Sequence, residues 1–208
     1  RGQRVQAAAQ RAHQQMGRRA LRGGGAQVRA QATHHARVGG TLLHRSQVAP
    51  GASSSQGWRT VESYTGSALS GVWAAGRDQA WATGNDGALL RWDGGRWTNT
   101  TQRETSALLT SVHASGDAAG GVVWAVGERG TLLRWNGVSW EPTPIDSTEV
   151  VRDVWSDGPE RAWAVGSGGL LLRWDGQRWL RVDSGERGEL LGLFGTHSGN
   201  LWAAGRGG

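Results

Sequence analysis

A chain of 208 residues without a cysteine can form neither disulfide bridges nor thiolate metal sites, and it contains no apolar run of the roughly 18 residues that a membrane-spanning helix needs. Its formal net charge of +6 is unevenly distributed, because residues 1–57 contain nine arginines and no acidic residue. Residues 58–208 contain 14 arginines against all 17 acidic residues, a formal charge of −3, so the strongly basic character belongs to the first segment alone.

The basic segment 1–57 is rich in arginine, glutamine, alanine and glycine and lacks tryptophan, which predicts a disordered tail. A second interpretation is a non-native reading frame, since a GC-rich gene that encodes no lysine gives such mixtures when it is translated out of frame. An arginine-rich arm could also lie on nucleic acid, but nucleic acid is the least favoured partner. Because the sequence begins at Arg1 and not at methionine, we expect it to be a fragment.

From residue 58 onwards the chain repeats a tryptophan-marked unit about every forty residues. Its signature, Ala-Trp-Ala-x-Gly, stands at residues 80–84 and 162–166 and, with its first residue changed, at 123–127 and 201–205. The marker tryptophans, at spacings of 43, 39 and 39 residues, are Trp81, Trp124, Trp163 and Trp202. A period of this length is typical of repeat architectures, and most naturally of a β-propeller.

Each complete unit divides into four short strands. The strands predicted in the third unit are residues 150–155, 161–166, 170–174 and 179–182, with equivalents in the other units. Glycine-bracketed turns join the second strand to the third. The dipeptides that join the third strand to the fourth are Asp93-Gly94, Asn136-Gly137 and Asp175-Gly176. Such dipeptides are strong hairpin signals and are typical of type I′ turns, in which two residues have positive φ.

Four-stranded antiparallel meanders of this size cannot bury tryptophans on both faces unless they stack on neighbours. The predicted fold class is therefore all-β, a β-propeller with blades at about residues 68–100, 108–143 and 149–182 and a partial blade at 189–208. We expect the repeat tryptophans to fill the space between blades, with an exposed platform for sugar rings as the alternative. These tryptophans are Trp73, Trp81, Trp92, Trp97, Trp124, Trp135, Trp140, Trp155, Trp163, Trp174, Trp179 and Trp202.

Two further strands are predicted ahead of the first complete blade. Residues 58–61 match a fourth strand, and residues 40–45 match a third strand. If these two paired with the trailing strands near residues 190–194 and 201–205, a four-bladed ring would close. We favour the alternative that the sequence is part of a larger propeller of about six to eight blades.

The combined pattern W-x-x-V, L-x-x-V-W, A-W-A-x-G and G-x-L-L-R-W-D-G-x-x-W, found over residues 58–208, resembles the Trp-rich propeller repeats of BNR or Asp-box proteins and of photosystem assembly-factor-like proteins. It is also similar to the tectonin repeats of sugar-binding propellers. The resemblance implies a bacterial, non-enzymatic binding or assembly scaffold, secreted or attached to the cell envelope, that recognises a glycan or a protein. The alternatives are a tectonin-like lectin with a sugar site on each blade and a fragment of a BNR-type glycoside hydrolase.

No arrangement of residues predicts catalysis, and we expect no cofactor and no metal. His113 stands where other units have Trp73, Trp155 or Phe194, so we interpret it as a variant of a core or rim position. His197 lies in a polar turn and is expected to be solvated.

An arginine precedes the third-strand tryptophan in every complete unit, and two more lie across the hairpin. The arginines before the tryptophan are Arg91, Arg134 and Arg173, and those across the hairpin are Arg96 and Arg178. Their stems are expected to cover the tryptophan edges while the guanidinium groups stay solvated or stack on a ring. The alternative is an arginine ladder for acidic sugars or phosphorylated partners.

The predicted binding site is on the loops, because these differ between units while the framework does not. The connections from a fourth strand to the next first strand, near residues 100–105, 142–148 and 183–189, are expected on the same face as the turns between second and third strands. The predicted binding residues are Asn85, Asp86, Arg103, Glu104, Glu128, Asp146, Asp183, Glu186 and Arg187.

Overall fold

The computed structural model describes residues 27–31, 40–45, 58–101, 105–116, 121–196 and 199–207. These residues form seventeen strands in five antiparallel sheets, and their helical structure is limited to the 3-10 turns Asn85–Gly87 and Ser167–Gly169. The prediction of an all-β fold is confirmed. Arg103, Glu104 and His197, which the sequence analysis named, lie outside the described residues.

Three of the sheets are complete blades of four strands that pair in chain order. The first blade consists of β4 (Leu69–Ala74), β5 (Ala80–Gly84), β6 (Leu89–Trp92) and β7 (Trp97–Asn99). The second consists of β8 (Leu109–Ser115), β9 (Val122–Gly127), β10 (Leu132–Trp135) and β11 (Trp140–Pro142). The third consists of β12 (Val151–Gly158), β13 (Arg161–Gly166), β14 (Leu171–Trp174) and β15 (Trp179–Arg181).

Two smaller sheets flank the complete blades. The front sheet contains β1 (Gln27–Gln31), β2 (Thr41–Arg45) and β3 (Trp58–Val61), and the rear sheet contains β16 (Leu190–Gly195) and β17 (Leu201–Gly205). The front sheet therefore has strands on both sides of residue 58, where the sequence predicts the end of a tail. The strand β2 pairs with β1 and β3 and not with the rear sheet, so the described strands do not form the four-bladed ring that the sequence left open.

The first strands of successive sheets lie side by side around a common axis. The strand β4 packs against β8, β8 against β12, and β12 against β16. Hydroxyl groups tie these inner strands together, because Thr110 Oγ1 donates a hydrogen bond of 2.6 Å to the carbonyl of Val151, and Ser70 Oγ donates to the carbonyl of Leu109. This radial stacking of four-stranded sheets is the architecture of a propeller.

The hydrophobic core lies between the blades. One cluster joins Trp124 and Val126 of the second blade to Leu172 and Trp174 of the third, and a second cluster joins Trp81 of the first blade to the second blade. A third cluster joins Leu42 of the front sheet to the first blade. Each blade thus completes its core with the apolar face of its neighbour.

The hairpins between third and fourth strands form as predicted, but the expected type I′ geometry is wrong. Only the glycine of each dipeptide has a positive φ, with values of 96° at Gly94, 103° at Gly137 and 100° at Gly176. The preceding side chain closes the turn instead, as the Asp93 carboxylate accepts the backbone N–H groups of Gly95 and Arg96 at 2.9 Å. Those two hydrogen bonds lower the pKa of Asp93, because they stabilise its ionised form.

Candidate functional site

The blades present two ends, which differ in what they contain. The turns between first and second strands and between third and fourth strands make one end, called here the hairpin face. The other end, called the loop face, contains the turns between second and third strands (residues 85–88, 128–131 and 167–170) and the connectors between blades (residues 62–68, 101–108, 144–150 and 183–189). The prediction that these turns and connectors share a face agrees with the hydrogen bond of 2.9 Å from Gly87 N to the carbonyl of Ala107.

The signature glycines hold the loop face in place. A Cβ atom added to Gly84, Gly127, Gly166 or Gly205 would lie between 2.0 and 2.2 Å from a backbone carbonyl oxygen of the connector that precedes the same sheet. The residue after each glycine donates its N–H to that carbonyl, for example Glu128 N to Leu108 O at 2.9 Å. The fifth position of Ala-Trp-Ala-x-Gly is therefore glycine because only glycine permits this close approach.

The predicted binding residues lie on the loop face, but the structure does not assemble them into one cluster. All the described ones are exposed except Glu128, which is half-buried. The Asp86 carboxylate accepts a hydrogen bond of 3.0 Å from Ser67 Oγ, and the Asp183 carboxylate accepts the N–H of Gly185 at 2.9 Å. The side chains are thus distributed along the rim, one or two from each turn or connector. The described members are Asn85, Asp86, Glu128, Asp146, Asp183, Glu186 and Arg187.

Two acidic residues that the sequence analysis did not select are held in ion pairs at this end of the blades. Arg181 reaches both carboxylate oxygens of Glu149, at 2.9 and 3.2 Å. The hydrogen bond from Arg181, helped by one from Ser147, lowers the pKa of Glu149. Arg152 lies 2.6 Å from the Glu189 carboxylate, whose other oxygen is 3.7 Å from Arg206. These carboxylates are therefore engaged within the protein.

The marker tryptophans of the first two blades, Trp81 and Trp124, pack across the boundary to the next blade, whereas Trp163 is half-buried. The ring of Trp81 lies 5.2 Å from that of Trp135 and 5.3 Å from that of Trp140, both in the next blade. The same geometry recurs one blade later, where Trp124 lies 4.9 Å from both of the corresponding rings of the third blade. Trp81 and Trp124 are fully buried, whereas Trp202 is 68% exposed. The buried rings are thus enclosed by protein and offer no open face to a ligand.

Two of the three arginines that precede the third-strand tryptophans pack on these rings. The guanidinium carbon of Arg91 lies 5.6 Å from the Trp81 ring, and that of Arg134 lies 5.8 Å from both Trp124 and Trp174. Such distances are typical of cation–π contacts. Arg173 is exposed. The three contacts of Arg91 and Arg134 favour the interpretation that these two arginines cover the tryptophans.

His113 belongs to a row of aromatic rings on the inner strands. Its ring lies 5.8 Å from Trp73 and 6.2 Å from Trp155, and its Nδ1 accepts the N–H of Ser156 at 3.2 Å. Burial lowers the pKa of His113 to about 4, because the charged imidazolium is poorly solvated there. A neutral imidazole packed between two tryptophans is consistent with the interpretation of His113 as a variant of a core or rim position.

A groove of about 390 Å³ opens on the loop face of the front sheet. It is lined by Gly40, by Thr41 at the start of β2, and by residues 60–66. Tyr64 stands at its side with 70% of its surface exposed and with a left-handed backbone, at φ 55°. No motif of the sequence predicts this groove. The available signal was that seven residues separate Val61 from Leu69 and Val182 from Leu190, so that the connectors align Tyr64 with Gly185.

No group of three or more histidine, aspartate or glutamate residues in the described ranges is arranged to hold a metal ion. The same ranges contain no helix with the length and apolar character that a bilayer crossing requires.

Comparison with solved structures identifies the class of fold. The chain is similar to a structure of YCF48 bound to D1 peptide, with a TM-score of 0.55 and 21% sequence identity, covering 80% of this chain and 55% of that one. A structure of YCF48 from Cyanidioschyzon merolae is 16% identical with a TM-score of 0.40, covering 80% of this chain and 71% of that one. The likeness to the first shows that the chain has a β-propeller fold, and the chain spans about half of that protein's length. Neither a protein-family model nor a curated protein matches the chain.

Proposed function

We propose that this protein is a non-enzymatic binding scaffold that holds a protein partner on its loop face. The observation that carries the proposal is that the loop face combines a constant backbone framework with variable exposed side chains. The glycine contacts beneath it repeat in four sheets, whereas the exposed side chains above them change from one connector to the next. A constant framework under variable polar side chains is how a repeat scaffold acquires a specific binding surface.

The solved structure of YCF48 is consistent with a partner that binds through a peptide segment. A solved structure of similar fold is described as YCF48 bound to D1 peptide, and this supports a peptide as the ligand proposed here. A peptide segment contacts several connectors at once, so the predicted residues need not converge on one point. Their distribution around the rim suits an extended ligand better than a compact one.

A glycan is the less favoured partner. Sugar recognition by stacking requires exposed aromatic faces, but the marker tryptophans of the first two blades are fully buried between blades. A lectin with one equivalent site per blade also requires equivalent loops, and the connectors carry different residues at matching positions, such as Tyr64, Asp146 and Gly185.

The test is selection of peptides from a random display library against the full chain, with a glycan array in parallel. Substitution of Asp86, Glu128, Asp146 and Glu186 by alanine should abolish binding of the selected peptides. A matched control replaces the exposed acidic residues Asp78 and Glu160 on the hairpin face and should leave binding unchanged. Glycan binding without peptide selection, or peptide binding that only the hairpin-face substitutions reduce, would contradict the proposal.

A further inference from the structure

The groove beside Tyr64 has a backbone feature that packing alone does not explain. A left-handed conformation in a bulky residue is uncommon and costs free energy, which is why glycine usually occupies such positions. The connector from β15 to β16 has the same length, and Gly185 takes the matching position with a φ of 71°. The front connector therefore has a large aromatic side chain, that of Tyr64, at a left-handed position where the later connector has Gly185.

The aromatic ring at this strained position, that of Tyr64, is exposed to solvent. Tyr64 is the chain's single tyrosine and is 70% exposed, so its ring gains little from burial. Strain of this kind persists where the surrounding structure imposes it and is frequent at ligand-binding positions. The ring stands beside a groove large enough for one long side chain.

The chemistry of the groove selects for a positive charge. Its described lining contains one carboxylate, that of Glu62, and no basic side chain. Hydroxyl groups from Thr41, Thr60 and Thr65 add hydrogen-bond acceptors, and the face of a tyrosine ring attracts a cation. An arginine or lysine side chain combines the length, the charge and the donors that fit these groups.

We propose that this groove receives an arginine or lysine side chain of the protein partner, with the cation against the ring of Tyr64 and paired with the carboxylate of Glu62. The proposal rests on the function proposed above, and it specifies the partner's chemistry at one point of the loop face.

The experiment is a titration of the isotope-labelled full chain followed by amide chemical shifts. The probe is the blocked peptide Gly-Ser-Arg-Ser-Gly, and its match replaces arginine by citrulline, which keeps the shape but removes the charge. The arginine peptide should shift the amides of residues 60–66 in a saturable manner, and the citrulline peptide should bind about tenfold more weakly. Equal binding of both peptides, shifts confined to other connectors, or no shifts would overturn the proposal.

Variants separate a binding role from a structural one. Tyr64→Gly should weaken the arginine peptide about tenfold without lowering Tm, because glycine relieves the left-handed backbone. Glu62→Gln should weaken it to a similar extent, and Tyr64→Phe should keep most of the affinity because the ring remains. Glu160→Gln, at an exposed acidic residue of the hairpin face, is the control and should bind like the parent. Unchanged affinity in both Tyr64→Gly and Glu62→Gln would overturn the assignment.

The two proposals fail in different ways. If display selection yields loop-face peptides that bind equally well to the parent and to Tyr64→Gly, the groove assignment fails and the binding function stands. If selection yields no peptide while the arginine probe still fills the groove, the general function fails and a cation-selective groove remains.

Discussion

The junctions between blades and the connectors on the loop face are built by opposite rules. At the junctions the same residues recur at the same distances, as in the contacts of Trp81 and Trp124 with the following blade, at 4.9 to 5.3 Å. In the connectors the matching position is tyrosine, aspartate or glycine, and its backbone is left-handed at Tyr64 and Gly185 but not at Asp146. The repeat therefore keeps the residues that each blade needs for contact with the next, and the exposed rim varies between units.

The largest expected effect is at a junction. Trp124→Ala removes a fully buried ring that contacts two indoles of the third blade, and the cavity should lower the free energy of unfolding by about 3–5 kcal/mol. Urea denaturation measures the change. Trp202→Ala, at an equivalent but 68% exposed position, should change it by less than about 0.5 kcal/mol. Equal losses in the free energy of unfolding would contradict the conclusion that Trp124 stabilises a junction and that exposed Trp202 does not.

The second effect concerns pH and the row of aromatic rings. The pKa of His113 is about 4 in the folded protein and near 6.5 in the unfolded chain, so between these values the unfolded chain binds more protons. The contribution of neutral His113 to the free energy of unfolding should therefore be fully present well above pH 6.5. It should decrease as the pH falls, by about 2 kcal/mol at pH 5. Denaturation curves between pH 7.5 and pH 5 measure the slope.

The control for this titration is His113→Phe, because Phe194 occupies the equivalent slot of the rear sheet. The variant should lose the larger part of the pH dependence in this window, since the carboxylates whose pKa values are lowered, such as Asp93 and Glu149, titrate at lower pH. A smaller slope should remain from His44, because burial and the charge of Arg59 lower its pKa as well. A slope that is undiminished by the substitution would show that His113 does not carry it.

The third effect is at the base of the loop face. Gly127→Ala would place a Cβ atom 2.2 Å from the carbonyl oxygen of Leu108, and because this neighbour is backbone, relief requires the connector to move. We expect a loss of about 1–3 kcal/mol in the free energy of unfolding. Gly158→Ala is the matched control, because its Cβ atom would meet nothing within 4 Å. A neutral Gly127→Ala would mean that the connector is not held by this contact.

The features that repeat are also the ones that could be predicted from the sequence. Tryptophan spacing and Asp-Gly or Asn-Gly turns repeat, so the blades and most strand bounds could be predicted; β13 and β17 begin and end at the expected residues. The turn type could not, because it depends on whether the Asp93 side chain closes the turn by hydrogen bonds. The groove beside Tyr64 also escaped prediction, because the match of Tyr64 to Gly185 is visible only in the equal lengths of two connectors and not in the repeated motifs.

The smallest expected effect tests the connectors themselves. Glu149→Gln removes the charge that Arg181 contacts at 2.9 and 3.2 Å, but Arg181 is 56% exposed, so solvent screening limits the loss to about 0.5 kcal/mol. The free energy of unfolding should lose this amount at low ionic strength and almost nothing in 1 M salt, where exposed pairs are screened. Arg173→Gln, at an exposed arginine outside the described ion pairs, is the control and should show no such salt dependence. A loss as large as that of Trp124→Ala would mean that the rim, like the junctions, is part of what holds the blades together.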